Sequence, residues 1–99
     1  MTATKVDLSS SEPTLGSRPL YQALWWIAKG DFKTGDEWEQ AHNICQAREG
    51  NNPYDWVHAL LHWIEGDEWN ANYWYRHIGK NRQGKNFEEE WQIIVDQIL

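Results

Sequence analysis

Cysteine is almost missing from this chain. Cys45 stands alone, which excludes an internal disulfide and gives no sign of an oxidising compartment. No run approaches the ~18 consecutive apolar residues of a membrane helix, and the opening MTATKVDLSSSEPTLGS lacks the apolar centre of a secretion signal. Cations are scarce as well, with 9 Lys and Arg against 15 Asp and Glu and a formal net charge of -6. Phosphate backbones are bound by clustered Lys and Arg, so a nucleic-acid partner is not expected. The one basic cluster, GKNRQGK with Lys80, Arg82 and Lys85, is short and broken by glycine and reads as a solvated loop. No stretch alternates apolar and polar with period two, so no sheet is expected. A cytoplasmic protein with no membrane partner is the expectation.

What the chain has in excess is tryptophan, 8 in 99 residues. Indole buries a large area yet usually keeps its N–H near an acceptor, so these rings suit a core, an interface or a stacking surface.

The length suits one domain with its own core. Residues 1–17 are polar, serine-rich and unpatterned, which reads as a disordered N-terminal tail, leaving residues 18–99 as a single helical domain. Ser17 is a candidate cap, and Pro19 falls where a helix tolerates its missing N–H. Tyr21, Leu24, Trp25 and Ala28 then follow at i, i+3, i+4, i+7, one stripe of a helix ending near Gly30. Trp38, Ala41 and Cys45 mark a second helix. A third, Pro53 to Glu65, is apolar almost all round and is expected to be central. Ala71, Trp74, Tyr75 and Ile78 mark a fourth. Asn86 and Glu89 form a capping pair for a fifth, whose stripe is Phe87, Trp91, Ile94, Val95 and Ile98.

The tetrapeptide GDEW occurs at Gly35 and again at Gly66. Each copy reads as a turn glycine, a capping aspartate (Asp36 or Asp67) and an early tryptophan, opening the second helix of a hairpin. The spacing between copies falls in the range of helical-repeat periods. The expected fold is therefore all-α: two stacked helical hairpins closed by a C-terminal capping helix, five helices in all.

EGDEWNANYWYR, with Gly66, Ala71 and Tyr75 in order, resembles the second-helix half of a tetratricopeptide or Sel1-type repeat. Ile78 stands where such repeats usually have alanine. A second likeness covers about half of the chain. Ala41-His42 with Gln46, Trp56 to Glu65, and Asn70 to Gly79 resemble small uncharacterised bacterial all-helical proteins carrying a WVHALLHR.EGD..NA.YWYRRAG-like segment. Trp63, His77 and Ile78 depart from that pattern. The resemblance implies a helical fold and brings no activity with it.

Two sets of residues offer chemistry. Trp69, Tyr73 and Arg76, with the amides of Asn70 and Asn72, would form an aromatic, arginine-edged groove for a peptide or a small acidic or sugar ligand. Asp55, His58, His62 and Glu65 line one face of the third helix. His58 and His62 at i, i+4 suit a divalent metal such as zinc, with Glu65 a further ligand and His42 on the neighbouring helix completing the set. The same face also reads as a wet stripe holding local pairs, Asp55 with His58 and His62 with Glu65. No serine elbow or phosphate-cradling loop is present, and Cys45 faces the core, so catalysis is not expected. The favoured function is a non-enzymatic binding or interaction module without cofactor, engaging a peptide, a small molecule or a second copy of the chain. The alternative is the His/carboxylate site, metal-binding or acid–base.

Overall fold

A computed structural model of the chain describes residues 6–13 and 17–99. The fold is all-α: α1 Pro19–Lys29, α2 Asp36–Gln46, α3 Asn52–Ile64, α4 Glu68–His77 and α5 Phe87–Ile98. No strand occurs among the described residues. α1 packs against α2 and α3 against α4; α2 lies on α3, and α5 crosses both α3 and α1.

α3 is the centre of the molecule, buried without a break from Asp55 to Leu61. That run is apolar except for Asp55 and His58, so the helix carries two polar groups into the core. α1 is buried on more than its expected stripe, through Leu20, Ala23 and Ile27 as well as Leu24 and Trp25. Residues read as tail reach the same core. Val6 is buried in the core cluster and Leu8 packs against it. The Trp25 indole donates to the Asp7 carbonyl at 2.7 Å, and Lys29 Nζ to that of Leu8 at 3.0 Å. For Val6 to Leu8 the structure differs from the expectation of a loose tail: Val6 joins the buried cluster and the backbone carbonyls of Asp7 and Leu8 accept from side chains of α1. Residues 1–5 and 14–16 of that stretch lie outside the described residues.

Besides Trp25, Trp38 donates to Leu61 O at 2.9 Å, Trp91 to Leu24 O at 2.9 Å and Trp56 to Glu90 Oε2 at 3.0 Å. Each buried ring thus ties one segment to the backbone or carboxylate of another.

The two GDEW corners are not twins. At the second, Gly66 takes φ 85° and lets the chain turn back after α3, while Asp67 caps α4, its side chain accepting from Asn70 N. At the first, the N-cap position is Gly35, which makes no side-chain cap hydrogen bond. Asp36 is already helical, contrary to the capping role expected for it. The longer turn after α1, with Asp31 and Phe32 both at positive φ, shifts the tetrapeptide by one position relative to the helix start. At α1, Arg18 holds the N-cap position without a side-chain cap hydrogen bond. At α5 the expected pair holds, Asn86 Oδ1 accepting from Glu89 N at 2.8 Å.

The basic loop after α4 is docked rather than solvated. Arg82 lies over the Trp63 ring at 4.1 Å and Lys80 over Trp56 at 4.6 Å.

Candidate functional site

α2 and α3 turn three histidines toward one another. His58 Nε2 lies 3.2 Å from His42 Nε2. One ligand nitrogen from each of His42, His58 and His62 can be chosen so that all fall within 4.8 Å of one another. His58 and His62 are one turn apart on α3 with their rings stacked at 4.8 Å. His42 meets both edge-on, at 4.9 and 5.4 Å between centroids.

Aromatic neighbours fix the rings. His42 stacks on Trp38, one turn earlier on α2, at 4.8 Å and 9°. His58 stacks on Trp74 of α4 at 4.5 Å and 22°. Trp38 is itself anchored by its bond to Leu61 O, so the platform beneath His42 is tied to α3. Trp38 was visible in the sequence as the i−4 neighbour of His42. The role of Trp74 depends on how α4 docks, and spacing alone does not give it.

Burial sets the charge state. His58 is only 2% exposed, and desolvation, then His62 and His42 nearby, push its pKa down to about 3. The pKa of His42 is also lowered, first by burial and then by His62. Both rings are therefore neutral at pH 7, the form that keeps a lone pair for a metal.

Glu65 sits beside the triad. Its Oε2 is 2.6 Å from His62 Nδ1, the expected local pair, and His62 is 12% exposed at its side chain. A second possible ligand group is His62, Glu65 and Asp67, although Asp67 is already engaged by Asn70, whose amide donates to Oδ2 at 2.7 Å.

Asp55 is not paired with His58. It is fully buried; Oδ1 accepts from Gly50 N at 3.2 Å, and Oδ2 stands 3.7 Å from His77 Nε2. Burial raises its pKa, with the Gly50 bond opposing. Among the described residues, Asp55 Oδ2 and His58 Nδ1 are buried side-chain atoms without a hydrogen-bond partner.

The second candidate set lies on the outer face of α4. Trp69 is 71% and Tyr73 44% exposed, with their rings stacked at 6.1 Å. Tyr73 stacks in turn on His77 at 6.2 Å, giving a ladder at i, i+4, i+8. Arg76 and Asn72 are exposed, while Asn70 is half-buried and bonded to Asp67. The cations seated over rings among the described residues are Lys29, Arg48, Lys80 and Arg82. A surface hollow of about 150 Å³ between α3, α5 and Lys80 contains none of these candidate residues.

Cys45 is buried, and burial followed by the nearby Asp55 raises its pKa, so its thiol stays protonated and inert. Sequence reading missed Glu90. It sits fully buried and collects Trp56 Nε1, Tyr75 OH, Gln83 N and Gly84 N as donors. The signal was present: Glu90 lies four residues before Ile94 and three after Phe87, on the apolar stripe of α5.

Comparison with family models, with curated proteins and with solved structures gives no match.

Proposed function

We propose that this chain is a metal-binding helical domain holding one divalent transition-metal ion, of the zinc class, on His42, His58 and His62. The observation that carries the reading is the 3.2 Å approach of His42 Nε2 to His58 Nε2. Zinc–nitrogen bonds of about 2.0–2.1 Å at tetrahedral angles separate ligand nitrogens by about 3.3 Å. A neutral imidazole set favours zinc, copper or nickel over calcium or magnesium, which take oxygen. With Glu65 on Nδ1 of His62, Nε2 becomes that ring's ligand atom, and Glu65 takes the outer position that orients a metal-bound histidine. Three protein ligands leave a fourth place for water or a ligand oxygen.

The test is a zinc or nickel titration of the folded chain followed by imidazole NMR and calorimetry. One site is expected, with resonances of His42, His58 and His62 moving together and His58→Phe abolishing the response. Unmoved resonances at millimolar metal would overturn the reading.

A second reading rests on the exposed Trp69–Tyr73 stack. An indole face open to solvent suits a flat or apolar ligand group, such as a peptide side chain or sugar ring. Trp69 fluorescence titrated with a peptide library and a glycan panel tests it; a Trp69 signal indifferent to every member counts against it. Neither reading requires catalysis.

A further inference from the structure

We infer that Asp55 is the positioning residue for a metal on His58, accepting a hydrogen bond from His58 Nδ1 once Nε2 is committed to the ion. The inference rests on the metal reading above and assigns Asp55 a role within that site.

His42 Nε2 and His58 Nε2 lie 3.2 Å apart, and two neutral imidazoles can share such a contact only if one nitrogen carries the proton and the other the lone pair. A metal needs the lone pair of both. The Nε2 proton must therefore leave, and the ring that held it stays neutral by carrying its proton at Nδ1. For half-buried His42, water can receive that N–H. His58 has no such outlet, because its Nδ1 is buried and unpartnered. A buried Nδ1–H without an acceptor would weaken the site by the desolvation of that group.

Asp55 supplies the acceptor. It lies three residues before His58 on α3, on the same face, where Cβ atoms are about 5–6 Å apart. Its Oδ2 is likewise buried and without a hydrogen bond. Oδ1 is held by Gly50 N, so the carboxyl group is anchored while its other oxygen makes no hydrogen bond and only a 3.7 Å contact with His77 Nε2. The other groups facing it are His77 Nε2 at 3.7 Å, Glu49 and the thiol of Cys45. A turn of the carboxylate from His77 toward His58 gives a carboxylate–histidine–metal relay, the arrangement that raises ligand basicity and fixes the tautomer. Glu65 already makes the equivalent contact to His62, so α3 would support both of its histidines in the same way.

The discriminating variant is Asp55→Asn. Its amide oxygen still accepts from Gly50 N, while its NH2 group donates toward His58 Nδ1 and locks the proton on Nε2, the tautomer that cannot bind metal there. Zinc titrations of the wild type and Asp55→Asn are read by calorimetry, and ring 15N shifts report the His58 tautomer. The expected result is a ~10–100-fold loss of zinc affinity in Asp55→Asn, with His58 in zinc-loaded wild type carrying its proton on Nδ1. Equal affinity of the two proteins overturns the role of Asp55 and leaves the metal site standing. Absence of zinc binding by the wild type overturns both. Should Asp55→Asn fail to fold, the His58 Nδ1–H resonance of the zinc-loaded wild type decides: a solvent-protected, strongly downfield proton hydrogen-bonded to a carboxylate is expected, and an Nδ1–H with the shift of a non-hydrogen-bonded imidazole overturns the inference.

Discussion

Gly84 donates its backbone N–H to Oε1 of Glu90 at 2.6 Å, and its Cα lies where any added Cβ would overlap the Glu90 backbone, 2.6 Å from Cα. The loop between α4 and α5 is thus closed on a buried carboxylate that also receives Gln83 N at 2.9 Å, Tyr75 OH at 2.8 Å and Trp56 Nε1 at 3.0 Å.

Removing that carboxylate strands buried donors from α3, α4 and the loop at once. Glu90→Ala is expected to cost about 3–5 kcal/mol, and Tyr75→Phe about 1.5–3 kcal/mol, since one charge-assisted bond is lost. Urea midpoints measure both. Gly84→Ala should destabilise comparably to other overpacked sites, about 1–3 kcal/mol. A neutral result for Gly84→Ala would mean that the loop does not close on α5.

Acid should unfold the protein through its histidines. The folded His58 pKa is about 3, lowered from 6.5, so between these values the unfolded state binds the extra proton. Stability from this group is fully present above about pH 6.5 and is lost as pH falls toward 3. His42, also lowered, acts in the same direction. Asp55, whose pKa is raised, acts oppositely: it favours the folded state at low pH and loses that contribution as pH rises through its folded value. Comparing thermal midpoints of wild type and His58→Phe from pH 7 to pH 4 isolates the histidine. The wild type is expected to fall more steeply, and parallel curves would show that His58 is not buried neutral.

The two copies of GDEW should respond differently to the same change. Asp67→Ala removes a side-chain cap and is expected to cost about 1 kcal/mol. Asp36→Ala removes only an acidic group from the first turn of α2, a loss of about 0.3–1 kcal/mol that salt diminishes. Chemical denaturation at low and high salt separates the two effects.

Val6 should behave as a core residue. It packs into the main cluster, so Val6→Ala is expected to cost about 2 kcal/mol, and proteolysis at that segment should slow to the rate of global unfolding. A silent Val6→Ala would restore the reading of this segment as a loose tail.

Trp38→Phe should act on both stability and the candidate site. The indole N–H to Leu61 O is buried, so its loss is expected to cost about 1–3 kcal/mol, and the smaller ring leaves His42 less firmly stacked. Zinc affinity should fall together with unfolding free energy, measured by calorimetry on the same samples.

Sequence periodicity alone determined that this chain forms helices, where α3, α4 and α5 lie, and that α3 is central, because an apolar face repeating every three to four residues has one economical way to be buried. The i, i+4 spacing also set His58 beside His62 and both on the face of Asp55 and Glu65, since residues on one helix are neighbours by geometry. Tertiary structure decided the rest. Whether His42 faces α3, whether Trp74 covers His58, which of two identical aspartates caps a helix, and that Val6 returns to α1 all depend on how separate segments dock. Those relations join residues distant in the chain, and local patterns carry no record of them.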